Sequence, residues 1–486
     1  MSIPVPDPRR WWALAVIAVA QFLVIMDTSI IGVALPEIQR AIGFSQAELS
    51  WVFNAYVVAF GGLLLLGGRL SDLYGARRVF ALGFIILTGA SLLTGLAQSE
   101  AILLAGRALQ GLGSALIAPA ALTLLMMLFS HDPKELTKAL ALYGAAAPAG
   151  GTAGVFLGGL LTDWIDWRWV FFVNVPIGLL VLAATPGVLP AGLARRGSLD
   201  IAGALSVTAA LSLAVFGIVR APEVGWVTTE TLLVLGAAIV LLILFLGIQA
   251  TRHEPLMPLS IWRAPNLAAA NVAMALLGAA WIPMWFFLNL YLQQVLGYGP
   301  FEGGLALLPM TVTIMVLMVG VTARVVGRFG FKTPLIGGLL VLAAGIGWLS
   351  LAPADGTFVA NVLPATIVGA TGMSLAYIPA MLAALSGAKP EESGLASGIV
   401  NTTYQIGSAL GLAAITAIAT AYGAGQLGDI AALVDGFQAA FVGAAVIALV
   451  GAVIALLSLR QPAAASTAVD VEVQADGSQE GRPRAA

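Results

Sequence analysis

The 486-residue sequence contains no cysteine and only two histidines, His131 and His253. Without thiols there are no disulfides, no thiolate metal sites and no cysteine nucleophiles. Charge is also scarce: Asp, Glu, Lys and Arg make up 9% of the chain, against about 25% in ordinary soluble domains. No Gly-x-x-x-x-Gly-Lys-Ser/Thr stretch occurs, which argues against a nucleotide-driven machine. An intramembrane enzyme would need a nucleophile with a base, or a metal cluster. The two histidines fall far apart in loops, so an enzyme is a remote alternative. No metal or other cofactor is expected, and no nucleic-acid partner.

Apolar residues fill the space instead, at 60% of the chain, with 56 glycines. Such a composition belongs to a polytopic membrane protein, in which small residues let helices approach closely. Apolar runs of spanning length fall at about 11–35, 49–70, 79–97, 101–127, 138–161, 170–189, 201–219, 230–249, 266–291, 303–323, 333–352, 358–385, 394–422 and 434–459. An even number of spans puts both termini on one side. With that side cytoplasmic, most of the 22 Lys and Arg residues lie in inner segments, and only Arg40, Arg168 and Arg220 lie in outer ones. This is the asymmetry the positive-inside rule requires. The expected fold is therefore all-α, with fourteen transmembrane helices arranged as six, two and six.

Loop composition gives a six-helix bundle over 1–190, an inserted helix pair with linkers over 191–265, and a second six-helix bundle over 266–460. The remaining 461–486, rich in Ala, Ser, Asp and Glu, is expected to be a disordered cytoplasmic tail. A faint echo between Gly68–Arg78 and Gly327–Lys332 points to a duplicated unit, with substrate bound between the halves.

The first apolar stretch, Trp11 to Pro36, includes a carboxylate, Asp27. An acid within a span is costly and by default a functional candidate. At 1.5 Å per residue it lies roughly 24 Å from Trp11, in the outer third of the expected helix. A solvated boundary position is the alternative. Arg107, about two turns into the fourth helix, reaches a similar depth and needs a partner, and Asp27 is the obvious one. Burial and a neighbouring cation act in opposite directions on an acid's proton affinity. Relative movement of the pair would therefore load and release a proton. The plainer reading is that Arg107 bonds carbonyls and stiffens the bundle.

The segment Gly68 to Arg78 sets Gly68, Asp72, Gly75, Arg77 and Arg78 into an expected tight inner turn. Asp72 is placed to pair with an arginine or a helix end as a cytoplasmic gate, or the stretch is merely a solvated basic loop. This segment resembles the signature loop of the major facilitator superfamily, departing from it at Ala76, where a basic residue is common. Further motifs are similar to those of its fourteen-helix drug:proton antiporters. Arg107 is followed by Gln110-Gly111, and the fifth helix carries Gly150, Gly154, Gly158 and Gly159 on what reads as one smooth face. Val155 stands where the family has proline, and Pro148 is a substitute source of the bend. Trp167 to Gly178 is the most specific match. By its residues alone that stretch is an aromatic anchor followed by a kink at Asn174 and Pro176. Leu35-Pro36, Tyr291 to Tyr298 and Gly394 to Gly398 also agree with the family.

The resemblance implies a proton-coupled secondary exporter that works by alternating access in the cell membrane. Its partners would be protons, the lipid bilayer and a small lipophilic substrate such as a drug, dye or antibiotic, with a monomer sufficient. A narrow exporter of one endogenous metabolite, antibiotic or lipid is the alternative. In the ninth helix Trp281, Trp285, Asn289 and Tyr291 form an aromatic wall of the kind drug-sized ligands favour, unless they face lipid. Gln110, Tyr377, Asn401, Tyr404 and Gln405 are further candidates for the substrate cavity. With one deep acid, dications are expected to be exported poorly compared with monovalent or neutral compounds.

Overall fold

The computed structural model describes residues 9–129, 133–191, 200–386 and 393–460, and among them all regular structure is helical. Among the described residues fourteen helices are long and apolar enough to cross a membrane. They are α1 (Arg10–Ile42), α2 (Glu48–Tyr74), α3 (Ala76–Gly95), α4 (Glu100–Phe129), α5 (Lys138–Trp164), α6 (Trp169–Val188) and α7 (Ile201–Pro222). They continue with α8 (Thr229–Thr251), α9 (Leu267–Val295), α10 (Pro300–Thr322), α11 (Lys332–Leu349), α12 (Phe358–Leu385), α13 (Ala396–Ala424) and α14 (Ile430–Ser458). His131, most of the 191–199 linker and the 461–486 tail lie outside the described residues.

The first six and last six helices repeat one packing order. α1 runs along α5, α2 along α4, and α3 against α4 and α6; likewise α9 runs along α13, α10 along α12, and α11 against α12 and α14. The bundles meet through two equivalent contacts, α5 on α10 and α2 on α13. The inserted α7 and α8 form a hairpin whose first helix packs on both α2 and α13. It thus covers one of the two seams between bundles.

The ends of the helices are not equivalent. At the end of the molecule opposite the chain's start, one apolar core runs from α9 and α14 without a break into Ile30–Ile38 of α1 and Val52–Phe53 of α2. The rest of the first bundle has its own core, including Phe80, Phe84, Leu124 and Phe129. At the N-terminal end, none of residues 142–149 of α5 or 401–406 of α13 is buried. The seam is open on the N-terminal side and closed on the far side.

Two local expectations need correction. α1 does not stop at Pro36 but continues to Ile42, where Gly43 caps it at φ 98°. Proline is tolerated because neighbouring helices shield the freed backbone, and both Leu35 and Pro36 are buried. Asp27 is therefore near the middle of α1, not in its outer third. The expected loop from Gly68 is also helix as far as Tyr74. The reversal between α2 and α3 is made at Gly75 alone, at φ 89°, a conformation L side chains rarely adopt.

Candidate functional site: a buried acid–arginine network

Asp27 and Arg107 are both 0% exposed. Arg107 Nη1 donates to Asp27 Oδ2 at 2.9 Å, and Nε donates to the Val52 carbonyl of α2 at 3.0 Å. The guanidinium also lies 4.6 Å from the ring centroid of Tyr56, whose hydroxyl donates to Ser114 Oγ at 2.7 Å. The second carboxylate oxygen, Oδ1, accepts from Gln110 Nε2 at 3.0 Å and from Asn174 Nδ2 at 2.5 Å. Gln110, one turn on from Arg107, accepts from Arg107 Nη1 at 3.0 Å and donates to Ser91 Oγ at 2.9 Å. Five helices therefore share one network: α4 and α6 bond the α1 carboxylate directly, and α2 and α3 join through Arg107 and Gln110.

A buried ion pair persists only where further hydrogen bonds satisfy its remaining atoms. Here they nearly do. Arg107 Nη2 and Asn174 Oδ1 are buried without a partner among the described residues, so the network is not saturated and has room to rearrange. Chemically, the arrangement is a carboxylate whose proton exchange is opposed or favoured by the position of a fixed cation. Gln110, expected in a substrate cavity, instead belongs to this closed network. Asn174, Ser91 and Tyr56 were not identified by sequence reasoning; the only signal for Asn174 was its place in the Trp167–Gly178 motif.

The α5 glycines connect this network to the seam. A Cβ on Gly150, Gly154 or Gly158 would come within 2.4, 2.9 and 2.6 Å of the Phe22, Met26 and Ile30 carbonyls of α1. These positions bracket Asp27. Gly159 does not share that face as expected: a Cβ there would lie 2.7 Å from the Pro300 carbonyl of α10. Successive helical residues point about 100° apart, so adjacent glycines serve different neighbours. Pro148 lies inside a helix that is continuous from Pro133 to Trp164.

At the N-terminal side, Gly68 faces Pro119 of α4. Arg77 Nη1 donates to the Leu189 carbonyl at 3.2 Å, while Arg78 is exposed. Asp72 is exposed and forms no hydrogen bond or ion pair with a described residue. Asp72 thus makes no gate contact with the described residues, while Arg69 of the same segment pairs with Glu254 at 2.6 Å.

The far side is latched by amides. Gln39 donates to Gln46 at 3.0 Å, Gln46 to Gln294 at 3.2 Å, and Gln294 back to Gln39 at 3.0 Å. Gln293 adds a bond to the Val33 carbonyl at 2.9 Å. This triangle joins α1 and the α1–α2 connection to the end of α9, across the seam. Sequence reasoning noted Gln293 and Gln294 only as part of a matching motif.

The aromatics of α9 are buried and do not face lipid. Trp285 lies over Gly32 of α1 and 5.4 Å from Phe53 of α2, so it seals the seam. Trp281 is buried in the same core. Asn289 donates to the Trp285 carbonyl of its own helix. Tyr291 is directed away from the seam, its hydroxyl donating to the Pro353 carbonyl at 2.7 Å; its predicted place in the cavity is not met, because it is tied to its own bundle. Tyr377 and Tyr404 pack edge-on at 5.5 Å beside the open part of the seam. Asn401 donates to the Ser397 carbonyl, and Gln405 packs against Gly61 of α2.

Comparison with known proteins agrees with this architecture. The sequence profile of the Major Facilitator Superfamily matches residues 17–412. The chain is 39% identical over 446 residues to the cephamycin export protein CmcT of Amycolatopsis lactamdurans, covering 91% of each protein. It is 38% identical over 439 residues to the puromycin resistance protein pur8 of Streptomyces alboniger, covering 89% of this chain and 87% of that one. Among solved structures, the nucleoside transporter NupG superposes with a TM-score of 0.66 at 11% identity, over 93% of this chain and 100% of that one. By profile, relatives and fold, the chain is an integral membrane protein that belongs to the major facilitator superfamily.

Proposed function

We propose that this protein is a secondary active exporter of lipophilic compounds, antibiotics among them, driven by inward movement of protons through Asp27. The observation that carries the reading is the wholly buried Asp27–Arg107 pair, packed through the α5 glycines onto the helix that meets the second bundle. An acid is retained at such cost only where its charge is used. The concentration of Lys and Arg on the N-terminal side supports a cytoplasmic placement of both termini. On that orientation the open seam faces the cytoplasm and the glutamine triangle closes the outside.

In the proposed cycle, substrate enters the open seam beside Tyr377 and Tyr404. Protonation of Asp27 weakens its hold on Arg107, Gln110 and Asn174. The freed donors repack α1 and α4, and α5 transmits the shift to α10. Bundle 1–190 then rocks against 266–460 about the seam, as repeat-built transporters do. Asp72 and the Gly68–Arg78 segment come together with the second bundle only in the outward-open state.

The relatives favour a second reading, a narrow exporter of one antibiotic: their names specify cephamycin, puromycin and, for a Streptomyces glaucescens protein 34% identical to this chain, tetracenomycin C. A panel of dyes and antibiotics in pump-deficient cells separates the two. Protonophore-sensitive efflux of several unrelated compounds, lost in Asp27→Asn at equal expression, supports the multidrug exporter. Efflux of a single compound supports the narrow one, and efflux that survives the substitution removes Asp27 from the coupling role.

A further inference from the structure

The far-side ends of α2 and α4 and the inserted α7 line a half-open cavity of about 470 Å³, to which no described residue of the second bundle contributes. That is a size typical of small-molecule sites. Ala55, Ala59 and Ala108 form its floor, and their short side chains leave open the space between α2, α4 and α7. Trp51 and Phe216 stand as aromatic walls. At the rim are Glu48 and Glu100, the first residues of α2 and α4. They lie within electrostatic reach of each other.

Neither rim acid forms an ion pair with a described cation. Among the described residues Glu48 Oε2 accepts only from the Ser45 backbone N–H, at 3.1 Å. Arg220, which also lines the cavity, is paired with Glu230 at 3.5 Å. A helix N-terminus by itself accounts for an acid at each position. It does not account for an apolar, aromatic-walled volume beneath two acids that share one mouth.

We propose that this cavity is a peripheral binding site for a lipophilic monocation. The apolar body rests on the alanine floor between Trp51 and Phe216, and the charge sits between Glu48 and Glu100, where an indole face adds to the attraction. Trp51 and Ala108 are the chain neighbours of Val52 and Arg107, which hydrogen-bond to each other. A bound cation therefore presses on the two helices that the Arg107–Val52 hydrogen bond joins.

The cysteine-free sequence permits a direct test. Ser212→Cys places a single thiol in the cavity wall, and its maleimide labelling is measured on purified protein in nanodiscs, without a proton gradient, so the result is independent of the transport reading. Tetraphenylphosphonium is expected to slow labelling several-fold, and neutral triphenylphosphine oxide to leave it unchanged. Glu48→Gln with Glu100→Gln should abolish the protection. Ala59→Phe, which fills the floor but keeps both acids, should abolish it too. Absence of protection, equal protection by the neutral compound, or protection that persists in the double variant would overturn the proposal, the last two marking the cavity as a groove for lipid chains.

Discussion

In the core of the first bundle stand Asp27, Arg107, Gln110 and Asn174; in the core of the second stand Phe286, Phe287, Phe437 and Phe441, all with at most 2% exposure. The helices around these groups pack in the same order. The difference therefore lies in chemistry and not in architecture. Among the described residues of the second bundle no buried side chain is charged, and its buried polar groups are hydroxyls and amides. One bundle buries an acid and its cation, and the other buries an aromatic cluster.

Asp27→Asn should erase the contrast most completely. It keeps the volume and removes the exchangeable proton, so efflux should lose its protonophore sensitivity and fall to background, while Phe437→Leu should leave coupling intact. Arg107→Ala comes next. Leaving a buried carboxylate uncompensated costs about 3–5 kcal/mol, visible as a large fall in thermal stability in detergent. The double variant Asp27→Asn with Arg107→Ala should recover part of that loss, and equal loss in single and double variants would show that the pair is not electrostatically linked. Asn174→Ala removes a hydrogen bond to a charged group, a smaller loss of about 1.5–3 kcal/mol, and should shift the pH dependence of efflux without abolishing it.

The seam gives finer tests. Gln294→Leu breaks two sides of the amide triangle at a net cost of about 1 kcal/mol per bond to the closed far side. A cysteine at Val33 should then react several-fold faster with an impermeant reagent, and an unchanged rate would show that the aromatic seal alone holds that side. Tyr404→Phe should have the smallest effect, altering the substrate profile while stability and coupling stay as they are.

The spans were legible in the sequence because a bilayer demands about twenty apolar residues in a row. Asp27 and Arg107 were legible for the complementary reason, since charge inside such a run is conspicuous. Asn174, Ser91 and Tyr56 were not, because uncharged polar residues are cheap enough in a helix bundle to occur without function. The amide triangle joins Gln46 to Gln294 across 248 positions, a pairing that no local pattern encodes. The direction of Tyr291 was hidden as well. Its hydroxyl is held by the Pro353 carbonyl, 62 positions away, a partner that helical spacing does not reveal. The passage of α1 through Pro36 depends on neighbours that local sequence does not reveal.

The triangle of Gln39, Gln46 and Gln294 has a consequence for timing. Carboxamides do not ionise at any biological pH, and dissolved salt screens them far less than it screens ions. A clasp made of them holds with the same strength whether the surroundings are acidic or neutral, dilute or briny. Its release is not triggered by the pH or salt of the medium that bathes it, and under the proposed function the decision to open is left to an acid sealed in the interior.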